Sequence, residues 1–236
     1  MNLQTSRTLR VWMATFLGVA LVAALSWPFT EHSIQRGMSM NSASEVAYSR
    51  LHTQGSTLAN IAIYGHMIGG GLLTILAPLQ LIQPIRKYFP WFHRALGYAI
   101  AFMAIAVAFG GLIYMAYRGT IGGLPMTFGF SLYGILVLVA ALQTVRHARA
   151  RSAQHWVWGC RLIVLALGSW LYRVHYAIWY SFAGGAYTRP DFSGAFDVVQ
   201  ALLFYVPYLL ALEWWLWVRQ SRQAAAKQDG KAHLKH

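Results

Sequence analysis

Charge is scarce in this chain, and negative charge is scarcest of all. Its 236 residues hold six Asp and Glu against 19 Lys and Arg, and only 11% of the chain is charged. A soluble domain carries about a quarter charged residues, so a water-soluble globule is excluded. Cysteine is equally sparse. Cys160 stands alone, which excludes a disulfide framework, a Cys-x-x-Cys motif, and any iron–sulfur or structural zinc site held by thiolates. Internal repeats are also missing, and Glu213 is the one acid placed within an apolar run. Both gaps weigh against a proton-coupled transporter built on inverted repeats.

What fills the chain instead is apolar: 57% hydrophobic residues, with ten Trp, thirteen Tyr and twelve Phe. The apolar residues gather into six runs, roughly 9–29, 58–82, 96–117, 126–145, 158–181 and 198–218. Each is near the ~20 residues that span ~30 Å of hydrocarbon as a helix. The expected fold is an all-α, polytopic membrane helix bundle with six transmembrane helices, a single domain over 1–236. Arg7 and Arg10, Arg86 and Lys87, Arg146 and Arg149, and Arg219 onward all fall on the connections of one side. Positive residues favour the cytoplasmic side, which predicts both termini inside (N-in/C-in). The net charge of +13 is then a topology signal that also suits anionic lipid, and nucleic acid is not an expected partner. The first run follows a basic start, but Ser26-Trp27-Pro28-Phe29 is too bulky for a small-x-small cleavage site. It reads as a retained helix rather than a signal peptide.

The connections carry their own signals. Residues 30–57 form the longest outer connection and suit a short amphipathic helix lying on the surface. Pro84 and Pro90 punctuate an inner loop whose Tyr88, Phe89, Trp91 and Phe92 belong at headgroup level. Gly119 to Pro125 predicts a tight outer turn, and 183–197 a second Gly/Pro-broken outer loop. The tail, 220–236, is polar and basic and reads as frayed.

Against this apolar background stand His66, His93, His155, Arg161 and Arg173. An ionisable group at membrane depth must be paired or face the bundle interior. With a rise of 1.5 Å per residue, His66 lies roughly 12 Å below the outer boundary, and Arg173 at a similar depth. His175 points about 160–200° away from Arg173 around the helix. His93, Arg94, His155, Arg161 and Glu213 form an inner layer, in which Arg161 and Glu213 lie at levels that let them neutralise each other. Gly65, Gly69 and Gly70 surround His66. Either they allow tight helix packing, or they clear room for a flat ligand beside the imidazole.

Two chemistries suit such a set. Bis-histidine ligation of haem b needs two neutral imidazoles facing each other across the macrocycle, with arginines beside the propionates. His66, His93 and His155 are the candidate iron ligands, and Arg94, Arg161 and Arg173 the anion partners. A quinone pocket or proton path also uses histidine at depth. His155 and His175 lie 20 residues apart, or about 30 Å, which counts against a stacked two-haem relay.

His66-x-x-x-Gly70, Pro78-Leu-Gln80, His93-Arg94-x-x-Gly97, His155-x-x-Trp158-x-x-Arg161 and Arg173 together resemble the bacterial membrane proteins grouped as domain of unknown function 2306. The resemblance covers about residues 60–180, and its combined spacing is more specific than any one motif. It implies a multi-pass protein of the bacterial inner membrane and supplies no activity. Trp156, Gly159 and Cys160 stand where the family commonly has basic and apolar residues, which leaves the His–Trp–Arg frame intact. His175 and Glu213 lie outside the pattern. Two readings therefore follow. One is haem-supported electron transfer, with a quinone or a redox partner protein. The other is a non-enzymatic small-molecule-binding, lipid-binding or assembly protein, in which these residues form a structural polar network within the lipid bilayer.

Overall fold

The computed structural model describes residues 3–233, with side chains from Thr8 to Ala224. Its elements are all helices: α1 (Leu3–Met38), α2 (Ala43–Tyr48), α3 (Thr57–Leu79), α4 (Gln83–Tyr88), α5 (Pro90–Arg118), α6 (Gly123–Arg149), α7 (Gln154–Ala166), α8 (Gly168–Ala183), α9 (Ala195–Leu203) and α10 (Val206–His233). Five segments are long and apolar enough to cross a membrane, and the bent pair α7 and α8 brings the number to six when taken as one span. Counted as six, the passes bring the described start of α1 and the described close of α10 to one end of the bundle. We call this the basic end, after the arginines at the close of α6 and the start of α5, and the other the distal end.

Helices α3, α5, α6 and α7 form a closed ring, each packed on its neighbour and α7 returning to α3. Their shared core is built from small and aliphatic residues, among them Leu73, Ala104, Val137, Ala141 and Leu162, and is closed by Phe204 and Tyr205. Lipid tails are as apolar as leucine, so close contact rather than the hydrophobic effect holds such helices together. Glycine allows that contact. A Cβ added at Gly110 of α5 would stand 2.7 Å from the Ala62 carbonyl oxygen of α3. Helix α1 leans on α3 from outside through Ser26, Thr30 and Ser33, all buried, with the Thr30 hydroxyl donating to the Gly71 carbonyl at 3.1 Å. Near its start Trp12 donates to Gln83 of α4 at 2.8 Å.

The connections follow from local chemistry. Ser56 caps α3 by accepting the Ala59 N–H. Gly119 ends α5 at φ 65°, ψ −157°, a region open to glycine alone, which gives the predicted tight turn. The distal connection after α1 carries a short helix, α2. It is tied down by Arg36–Glu45 at 3.1 Å and by the Tyr64 hydroxyl donating to Glu45 at 2.7 Å. Burial alone would raise the Glu45 carboxyl, but hydrogen bonds from Ser49 and Tyr64 and the Arg36 guanidinium outweigh it and hold the group below its ordinary value.

Helix α10 continues to His233, and the last three residues of the expected tail lie outside the described part. One expectation is corrected: the fifth run is not one straight helix, since α7 and α8 meet at 43° across Leu167. The bend has a cause in side chains from other helices. The Tyr133 hydroxyl of α6 donates to the Leu165 carbonyl, and the Thr74 hydroxyl of α3, which donates to the Gly70 carbonyl of its own helix at 2.9 Å, also lies 3.4 Å from the Ala166 carbonyl. These are carbonyls that the break frees. Tyr133 can enter because residue 168 is glycine, where a Cβ would stand 2.8 Å from its ring. Inserted side chains are a recognised origin of sharp helix kinks.

This account predicts that Tyr133→Phe, which removes only the hydroxyl, leaves the Leu165 carbonyl unsatisfied and costs roughly 1–3 kcal/mol. Thermal unfolding of the purified chain in mild detergent measures it; an unchanged melting temperature would show that the bend does not need this bond.

Candidate functional site

Inside the distal half of the ring lies a cavity of about 670 Å³. Its walls come from α3, α5, α6 and α7, with Arg50, Arg118 and Thr120 at the mouth and Leu73, Val137 and Leu162 at the base. Most of the wall is apolar, and Gly70, Gly111 and Gly134 contribute to it. A Cβ at Gly70 would meet nothing within 4 Å, so this glycine leaves open space. The glycines near His66 thus differ, some packed tightly and some beside open space. Gly69 packs tightly, its added Cβ falling 2.5 Å from Val107, while Gly65 faces open space.

His66 is the one histidine in this lining. It sits nine residues, or about 14 Å, beyond the start of α3. Its Nδ1 lies 2.7 Å from the Val107 carbonyl oxygen. A carbonyl only accepts, so Nδ1 carries the hydrogen, and in the neutral ring Nε2 carries the lone pair. Gly111 lets α5 close over the ring, since a Cβ there would stand 3.0 Å from Nδ1. Nε2 has no partner among the described residues and is not sealed off by protein. The cavity is thus a mostly apolar chamber lined by a histidine that is fixed at Nδ1 and unpartnered at Nε2 among the described residues.

The other two candidate haem ligands lie at the basic end. His155, at the start of α7, donates from Nδ1 to the Thr144 carbonyl at 3.2 Å. His93, at the start of α5, lies within electrostatic reach of His155 and Arg86. Its Nδ1 is buried without a partner among the described residues, as is Oε1 of Gln143. Gln80 donates to the His93 carbonyl at 3.4 Å and lies against Gly97, where an added Cβ would be 3.7 Å from its oxygen. Those contacts give the Pro-Leu-Gln and His-Arg-x-x-Gly motifs a joint packing role. Arg94 turns back on its own helix to the Pro90 carbonyl. His66 and the pair His93/His155 therefore do not converge. No second imidazole lines the cavity, and no cluster of three or more His, Cys, Asp or Glu suited to a metal occurs among the described residues.

Arg161 does meet Glu213. The guanidinium grips the carboxylate at 2.6 and 2.8 Å, joining α7 to α10, and stacks over Trp158 at 4.3 Å. The Trp-x-x-Arg spacing puts the two on one helix face. Arg173 and His175 part company as their spacing requires. Arg173 turns to α1 and stacks over Phe29 at 4.6 Å. His175 turns to Gln200 at 3.1 Å and to the Tyr208 hydroxyl at 2.7 Å.

Several polar anchors escape the sequence reading. Asp197 is 1% exposed. It accepts from the Tyr176 hydroxyl at 2.6 Å and from the backbone N–H groups of Arg189 and Gly194, each at 2.9 Å. The segment 183–197 is thus pinned at its end rather than loose. Gly194-x-x-Asp197 carries the spacing of a helix N-terminal box, which is the signal that marks it. Gln200 and Tyr133 carry no such local mark.

The architecture and the chamber define a polytopic helical membrane protein with an internal cavity open at one end. The chain belongs to the family described as "Predicted membrane protein (DUF2306)", whose model matches residues 63–218. That span runs past residue 180, where the resemblance legible in the motifs ends, and takes in Glu213. No curated protein and no solved structure matches the chain.

The Arg161–Glu213 pair is partly exposed, at 24% and 45%, so its strength falls between surface and buried limits. A double-mutant cycle with Arg161→Met and Glu213→Leu, read by thermal unfolding, should give a coupling of about 1–2 kcal/mol. Additive effects would mean that the pair does not hold α10 to α7.

Proposed function

We propose that this chain is a small-molecule-binding protein of the bacterial inner membrane. The ligand's apolar body fills the cavity and its polar head meets His66. The basic end faces the cytoplasm, so the ligand reaches His66 from the outer side, past Arg50 and Arg118. The observation that carries this reading is the chamber itself: about 670 Å³ between ring helices, lined by His66 with its ring fixed at Nδ1. Pockets of roughly 300–1,000 Å³, mostly apolar with a few placed polar groups, are the usual form of small-molecule sites. A head group that donates a hydrogen bond matches Nε2, and a quinol or another lipid-soluble hydroxyl compound answers that need. Haem b fits less well. His66 supplies one axial nitrogen, and the lining holds no second.

The full chain, purified from its membrane in mild detergent, tests this by native mass spectrometry alongside its absorption spectrum. A bound small molecule is expected on the unaltered protein. It should be weakened by His66→Ala and lost with Gly70→Leu, whose added side chain enters open space. A bare unaltered protein, or the same adduct on Gly70→Leu, would refute the reading. A haem spectrum abolished by His66→Ala would replace it with the cytochrome.

A further inference from the structure

Arg173 lies outside the cavity lining and poses a separate problem of charge. It stands ten residues, or about 15 Å along the helix, before the end of α8. An arginine at such depth ordinarily stretches toward the headgroups. This one does the reverse. Its Nη1 donates to the Ser169 carbonyl, 2.8 Å away and one turn nearer the bilayer centre, and its guanidinium lies over Phe29 of α1 at 4.6 Å. A guanidinium has five N–H donors, and this is the one hydrogen bond it makes among the described residues.

No described acid neutralises it. Glu31 is bonded to Gln35, and Glu45 to Arg36 and Tyr64. Asp191 turns to Ser193, Asp197 to Tyr176, and Glu213 to Arg161. The side chain nevertheless remains exposed on its free flank. The fold explains the opening. Helix α1 packs on α3 and does not pack along α8, while the bend at Leu167 swings α8 off the line of α7. Arg173 lies against Phe29 on this open flank, within the membrane-spanning length of the bundle.

We propose that Arg173 is an anion subsite on the open flank of α8 beside Phe29 of α1, and that this flank binds a single-chain amphiphile of the fatty-acid class by its carboxylate. A charge in hydrocarbon pairs with another charge or with backbone carbonyls. Arg173 has a single carbonyl among the described residues for its five donors, and a carboxylate matches the guanidinium fork with two parallel hydrogen bonds. The depth suits a carboxylate on one acyl chain, whereas a phospholipid phosphate stays in the headgroup layer. Phe29 and the neighbouring apolar face of α1 flank the chain. The subsite is independent of the cavity, because Ser169 is shared with the cavity wall but Arg173 is not part of it.

The test compares oleate with oleyl alcohol, which has the same tail and no charge. Both are titrated onto the full chain in an uncharged detergent at alkaline pH, with thermal stability as the readout. Oleate should bind the unaltered protein at least about tenfold more tightly than the alcohol, as expected of a charged hydrogen-bonded pair. Arg173→Gln should remove the preference and Arg173→Lys should keep part of it. Gly70→Leu, which fills the cavity, should leave it intact. Equal binding of both probes to the unaltered protein overturns the proposal without any variant, as does an undiminished preference in Arg173→Gln. Loss of the preference in Gly70→Leu would move oleate into the cavity and overturn the separate subsite. Stabilisation by phosphatidylglycerol but not by oleate would overturn the fatty-acid assignment.

Discussion

Every polar group carried into hydrocarbon must find its partner inside the bundle, because lipid offers none. That constraint organises this protein more than any single contact. It sends Thr30 to the Gly71 carbonyl, Tyr133 to Leu165, and Arg161 to Glu213. Each of these bonds ties one helix to another, so settling the polar groups and assembling the bundle are the same process. Glycine makes the process geometrically possible. It brings α5 against α3 at Gly110 and admits the Tyr133 ring at Gly168.

The groups left unsettled gain meaning from the same constraint. Nε2 of His66 and the free flank of Arg173 lie at comparable depth. They open in different directions, one into the cavity of the ring and the other toward α1. Both lie near the bend at Leu167, where Ser169 lines the cavity and its carbonyl accepts the Arg173 hydrogen bond.

Much of the fold was legible because hydrophobic run length and Lys/Arg placement are local properties. Six passes, the short helix in the connection after α1 and the tight turn at Gly119 follow from them. The Arg161–Glu213 pair was legible as well, since helical rise alone sets both at one level. The bend was not legible. It depends on Tyr133 and Thr74, hydroxyls from two other helices, and the chain from 158 to 181 reads as unbroken without them. The candidate site was legible as a set of residues and not as a constellation. Spacing along each helix placed His66 and Arg173 at one depth and His93 and His155 at the other end, but rotation about the helix axes decided that His66 faces the cavity and that Arg173 faces Phe29.

The account rests most heavily on His66 being held by Val107 with its second nitrogen free. Nitrogen NMR of the full chain in lipid nanodiscs, labelled at histidine and assigned through His66→Gln, reads this directly. The account predicts a neutral ring protonated at Nδ1, whose unprotonated Nε2 signal moves when the cavity is filled by Gly70→Leu. A ring protonated at Nε2, or an Nε2 signal indifferent to Gly70→Leu, would contradict it.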